Sequence, residues 1–238
     1  GIRDTSVTGV QTCALPILIK YVLVFVGVEL ANQIFAERAS GNSATYIISF
    51  INASSLCFIA HQSILLSERH AISFNYQRLM LRFSGGLLAM FAIGIVPAIV
   101  VVVILISQMS ALLDEEMTLG LIFAVTVLGM LFVALVVLPL FGTYLSALVM
   151  QDEDRGVGAA LARGRRTFFF AASRMLAGPV VVYALGAAIT LANRDMLVND
   201  LLSESWQPDI AQILFLCGLY PVQALSYIMG SWILCHAY

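Results

Sequence analysis

Between Arg82 and Asp114 the chain carries no charged side chain. About twenty apolar residues in helical form suffice to cross the hydrocarbon core of a bilayer, and this run exceeds that. Lipid offers backbone groups no hydrogen bonds, so only helices or closed barrels can cross it. Comparable runs recur, and six spans are expected at roughly 18–36, 44–66, 85–107, 118–149, 169–192 and 210–235. The fourth is longer than a minimal span and must tilt, bend at Pro139 or project beyond the hydrocarbon. Composition agrees: 61% of residues are hydrophobic and 11% charged, where an ordinary soluble domain has about a quarter charged. The fold class is therefore all-α, an integral membrane six-helix bundle.

The connections alternate in charge. Arg69, Arg78 and Arg82 lie between spans two and three, and Arg155, Arg163, Arg165 and Arg166 between four and five, with Arg174 just beyond. The other connections hold Glu37 and Arg38, then Asp114, Glu115 and Glu116, then Arg194, Asp195, Asp200, Glu204 and Asp209. Basic residues stay in the cytoplasm, so Lys20, both Arg-rich connections and the C-terminus are expected on the cytoplasmic side. A net charge of −2, without a basic cluster interleaved with aromatics, gives no nucleic-acid partner.

Both Arg-rich connections carry a helical period. In "RHAISFNYQRLMLRFS", Ile72, Tyr76, Leu79, Met80 and Phe83 form one face and Asn75, Arg78 and Arg82 another. In "GVGAALARGRRTFFF", Val157, Ala160, Leu161 and Phe168 share a face, and Arg163 and Arg166 lie i, i+3. The pattern predicts two cytoplasmic amphipathic interfacial helices, their arginines toward lipid phosphates. Pro97 recurs as Pro179 and Pro139 as Pro221, each 82 residues on. That spacing predicts an internal repeat with units 18–66, 69–150 and 155–238, three helical hairpins in one transmembrane domain, with a helix kink at each proline.

The first seventeen residues, "GIRDTSVTGVQTCALPI", fit no targeting signal: they lack a basic start and an apolar stretch. They resemble the conceptual translation of a short-read sequencing adapter, so residues 1–17 are expected to be a non-native leader and the protein proper to begin at Leu18. A second resemblance rests on "RGVGAALARGRRTFFFAASRMLAGPVVVYAL" and on the layout of residues 44–238. It is similar to bacterial YciC-like inner-membrane proteins and to the membrane portion of glycerophosphoryl diester phosphodiesterases. The resemblance implies a multi-pass helical bundle and supplies no catalytic residues; the phosphodiesterase of that group is a separate soluble barrel for which this chain has no room.

Polar residues within the spans are the candidate functional groups, because burying them in lipid is expensive. Glu29 lies nine residues past Lys20, about 14 Å deep, with Asn32 and Gln33 on the next turn. On the second span Asn52, Ser55 and Gln62 share a face, and His61 lies nearby, about 8 Å from the cytoplasmic end. Glu29 and His61 are expected to approach each other, either as a protonatable pair on a solute path or as interhelical hydrogen bonding; the second is favoured. His61, His70 and His236 lack ligand spacing, "GRRT" lacks the spacing of a phosphate loop, and Ser173 and Ser226 have no visible base. Asp152, Glu153 and Asp154 read as a solvated helix start.

No cofactor, metal or catalytic constellation is expected. The expected function is non-enzymatic, organising lipid or supporting envelope integrity, with the bilayer and its anionic headgroups as partners. The lipid-phosphate candidates are Arg69, Arg78, Arg82, Arg163, Arg165 and Arg166. The alternative is a small-solute or ion transporter using the intramembrane polar residues.

Overall fold

A computed structural model describes residues 7–38, 43–66, 76–109, 115–193 and 210–238, and among these residues the regular structure is entirely helical. In chain order the helices are α1 (Val7–Arg38), α2 (Ser43–Leu65), α3 (Tyr76–Met109), α4 (Glu115–Phe132), α5 (Leu138–Phe141) and α6 (Thr143–Val149). They continue as α7 (Val157–Met175), α8 (Val181–Ala192) and α9 (Ile210–Ala237). Two π turns join pieces of longer rods: Val133–Val137 between α4 and α5, and Leu176–Val180 between α7 and α8. Five stretches are long and apolar enough to cross a membrane: Ala44–Leu65, Gln77–Gln108, Gly120–Phe141, Val157–Thr190 and Ile210–Ala237. The expected first span lies within α1, which is not among those five and runs without a break from Val7 across the boundary placed at Leu18.

The two amphipathic segments are not separate surface helices. Tyr76–Ser84 is the first part of α3, and Val157–Met175 continues through the π turn into α8. The physical reason is that a change of polarity does not end a helix, and no proline falls between Arg82 and Leu87 or between Arg166 and Ala172 to break one. The arginines therefore ride on extensions of the spanning rods. Arg69, His70, Ile72 and Asn75 lie outside the described residues, so this holds for the first segment from Tyr76 on.

The prolines also divide differently from the expected pairs. A proline removes one backbone donor and presses on the carbonyl four residues back. Ahead of Pro139 the ladder widens, and the Leu138 amide reaches back five residues to the Val133 carbonyl. Pro179 sits inside the other π turn, whereas α3 and α9 remain α-helical through Pro97 and Pro221. One wide turn thus falls in each expected pair, and the pairs are not alike in local structure.

Packing is concentrated at the Arg-rich end. There α6 is buried along its length, with Thr143, Leu145, Ser146, Ala147, Leu148 and Val149 all inaccessible. It is enclosed by α2, α3, α7 and α9. Phe58, Phe83, Leu87, Met90, Val137, Leu145 and Val149 form one apolar cluster on its flank. Ala171, Met175, Ile233, Leu234 and Ala237 form another between α7 and α9. A third joins α1, α2 and α9 through Phe25, Leu56, Leu216, Tyr220 and Ala224. Elsewhere the rods are thinly covered: Val96, Ile99, Val103 and Leu128 on α3 and α4 are exposed, as lipid-facing side chains are.

The closest crossing brings Gly164 of α7 onto the backbone of Leu140, where a Cβ would collide with the carbonyl. Gly164→Ala is accordingly expected to cost about 1–3 kcal/mol through overpacking, read as a lower unfolding midpoint in detergent. Gly85→Ala, where the added methyl meets open space, should leave that midpoint unchanged or slightly raised. Equal midpoints for the two variants would contradict the crossing.

Candidate functional site

Glu29 is 8% exposed and sits at the α1–α2 interface. Both carboxylate oxygens are occupied from α2: the Ser49 hydroxyl donates to Oε2 at 2.7 Å and the Asn52 amide to Oε1 at 2.9 Å. The amide of Asn32, one turn along α1, donates to the Ser49 hydroxyl and to the Thr45 carbonyl, each at 2.9 Å. Asn52 also donates to the Phe25 carbonyl at 3.1 Å. The chain of donors runs Asn32 to Ser49 to Glu29, closed from the other side by Asn52. Among the described residues no cation pairs with Glu29, and the Asn32 carbonyl oxygen is buried without a partner. Gln33 and Gln62 are half-buried and outside this network. Ser55, expected on the same face, instead bonds back within its own helix, donating to the Ile51 carbonyl.

The structure does not bring His61 to Glu29. The pairs Asn32–Thr45, Glu29–Ser49 and Phe25–Asn52 fix an antiparallel register between α1 and α2. In that register His61 lies level with residues near Leu18, about 14 Å along α2 from Asn52. His61 is 1% exposed. Its Nδ1 donates to the Cys57 carbonyl at 2.8 Å, since a carbonyl can only accept, and its ring meets Phe83 edge-on at 5.1 Å. The pairing fails on register: Glu29 stands level with Ser49, twelve residues before His61, or about 18 Å along the helix, and neither helix's own spacing fixes that offset. Ser49, three residues before Asn52 and therefore on the same face, was the partner that helical spacing could have supplied.

At the Arg-rich end Arg78, Arg82, Arg155, Arg165, Arg166 and Arg174 are exposed, while Arg163 is half-buried. Arg174 lies over the Phe170 ring at 3.9 Å and is turned along its own helix. Arg163 donates to the Asp154 carbonyl at 3.1 Å and lies over the Tyr238 ring at 5.0 Å, so it belongs to a contact within the protein more than to a lipid face.

That contact is prepared by the end of α6. Gln151 has φ 54°, the left-handed conformation usual for glycine at this position. With it, the Asp152 amide donates to the Ala147 carbonyl at 3.1 Å and the Gln151 amide to Leu148 at 3.2 Å, which is a Schellman closure. The turn leaves the Asp152 carboxylate to accept the Tyr238 hydroxyl and the Asp154 amide. Asp152, Glu153 and Asp154 thus precede α7, and Asp152 ties the α6–α7 turn to the residue following α9. The Tyr238 hydrogen bond, then that of the Asp154 amide, holds the Asp152 carboxyl below its usual range. Burial, then the bond to Asp152, pushes the Tyr238 phenol up.

Among the described residues no group of three His, Cys, Asp or Glu could hold a metal ion. No protein-family model, no curated protein and no solved structure matches the chain.

Two outcomes test this geometry. Glu29→Ala should destabilise the α1–α2 pair by about 1–2 kcal/mol, because it strands two buried donors. Glu29→Gln, which keeps an acceptor, should cost less; equal losses in thermal unfolding would remove the network. For Asp152, a folded pKa below the unfolded one adds stability above the carboxylate range that is lost as pH falls through the lowered value. Tyr238, raised, adds stability below the phenol range that is lost as pH rises through its folded pKa. Tyr238→Phe should therefore flatten both limbs of a midpoint-against-pH curve, and a curve of unchanged shape would show that the contact is not made.

Proposed function

We propose that this chain is a multi-pass protein of a bacterial inner membrane whose six spans form three hairpins, with the Arg-rich end in the cytoplasm. It acts without catalysis, gathering anionic lipid at that end and so supporting envelope integrity. The observation that carries the reading is the contrast between the two sets of ionisable groups. Five arginines, Arg78 and Arg82 on the first turns of α3, Arg155 just before α7 and Arg165 and Arg166 midway along it, are exposed, on rods that run on into apolar spans. The buried carboxylate, Glu29, is spent on hydrogen bonds between helices. Basic side chains near an anionic leaflet each contribute about 1 kcal/mol, roughly fivefold in local lipid preference.

The test is the lipid shell carried by the protein when it is extracted in polymer nanodiscs. Wild type should be enriched in anionic glycerophospholipid, and Arg155→Gln with Arg165→Gln and Arg166→Gln should lose most of that enrichment. An unchanged shell would defeat the proposal. So would a proton or solute flux in proteoliposomes that Glu29→Gln abolishes, which would instead support the transporter.

A further inference from the structure

A cleft of ≈ 420 Å³ runs down the outside of α3, lined by Arg82, Gly85, Gly86, Ala89, Met90 and Ile93, with Phe141, Tyr144 and Val157 completing it. The α3 residues stand at i, i+3, i+4, i+7, i+8 and i+11, one continuous face of the helix. Arg82, Gly85, Ala89 and Ile93 are exposed, so the cleft opens away from the bundle. The Tyr144 ring lies against Gly86, where a Cβ would come within 2.9 Å of it, and so forms a wall against which α3 presents no side chain. Arg82 is the one charged residue in the lining, and it is the last charged residue before the apolar run to Asp114. From Arg82 to Ile93 the helix rises about 16 Å, close to half of a roughly 30 Å hydrocarbon core.

We infer that this cleft holds one anionic glycerophospholipid, its phosphate on Arg82 and an acyl chain laid along Gly85–Ile93 between α3 and Tyr144. The argument is charge complementarity joined to depth: a cation stands where the hydrocarbon begins, and below it an open apolar channel is as deep as one leaflet. A guanidinium presents several donors that match phosphate oxygens, and the wall supplies contact only to something apolar. A soluble anion would meet the arginine but would leave the channel unfilled. A second cleft, ≈ 320 Å³ between α8 and α9, gives the contrast. It is lined by Ile189, Leu214, Phe215, Gly218, Leu219 and Val222 and has no charged side chain, so a lipid there has nothing to select its headgroup. The inference rests on the proposed lipid-organising function and names one bound lipid within it.

The full chain, reconstituted in phosphatidylcholine vesicles, is irradiated with a trace of diazirine-bearing phosphatidylglycerol or of the phosphatidylcholine analogue, and labelled peptides are located by mass spectrometry. Labelling within residues 82–93 and 141–144 should favour phosphatidylglycerol about fivefold, the factor expected of one arginine beside an anionic lipid. Labelling within 214–222 should show no such preference. Arg82→Gln should erase the preference. Gly85→Leu, which enters open space, should lower labelling there by both lipids several-fold. Both positions are exposed, and helicity by circular dichroism confirms the fold of each variant; either variant suffices without the other. Labelling indistinguishable from wild type in both, or equal use of the two lipids by wild type, overturns the site. That failure is separate from failure of the broader function, which is read from Arg155, Arg165 and Arg166: an anionic shell with an unlabelled cleft removes the site alone, and a labelled cleft with a neutral shell removes the function alone.

Discussion

The rest of the bundle depends on the burial of a seven-residue helix, α6, in the middle of four others. Lipid tails are as apolar as leucine, so spanning helices gain little by hiding apolar side chains from one another; close packing and hydrogen bonds must hold them. Helix α6 supplies both. Its Leu145 and Val149 meet α2 and α3, the Thr143 hydroxyl donates to the Ala160 carbonyl at 3.3 Å, and Ser146 faces the Cys235 sulfur at 4.0 Å. Gly164 lets α7 cross just before α6 begins, and Gly142 admits Leu234 of α9 at the same level. The distal half of the α3–α4 pair is held differently. Gly94 and Gly129 face each other, with Val133 and Ala98 filling the seam, and the outward side chains are left to the membrane.

This division orders the polar groups. At the α1–α2 interface a carboxylate, two amides and a hydroxyl bond to one another and fix the register of two helices whose apolar faces alone would leave it loose. At the other end the acidic turn before α7 is tied to Tyr238, and Arg163 lies over that ring. Both networks are spent on contacts within the protein. The exposed arginines lie on the first turns of α3, just before α7 and within it, and the proposed lipid contacts are theirs.

Much of the architecture was legible because hydropathy is a sum along the chain. The spans expected at 44–66 and 210–235 correspond to Ser43–Leu65 and Ile210–Ala237, and Glu29, Asn32 and Asn52 do meet across two helices. What was not legible depends on direction around an axis. The partnership of Glu29 with His61 required two helices to agree in register and facing, and single-chain spacing constrains neither. The surface helices were misjudged for a related reason, since amphipathic period reports which face is polar and says nothing of where the rod bends. The role of α6 was hidden inside an over-long span: "TYLSALV" carries no charge to set it apart from the apolar run before it, although it is the most enclosed helix among the described residues.

The π turn at Val133–Val137 has a further effect on how such a helix presents itself. One residue beyond the α repeat advances the helix by an additional 100° or so, from 3.6 residues per turn. The two parts of the rod are thus out of phase. The face that α4 offers to α3 through Gly129 and Val133 is not the face that α5 and α6 would offer if the ladder were unbroken. A single rod can in this way follow one neighbour on the lipid-exposed half and then rotate its side chains among four neighbours on the enclosed half, without a loop in the membrane.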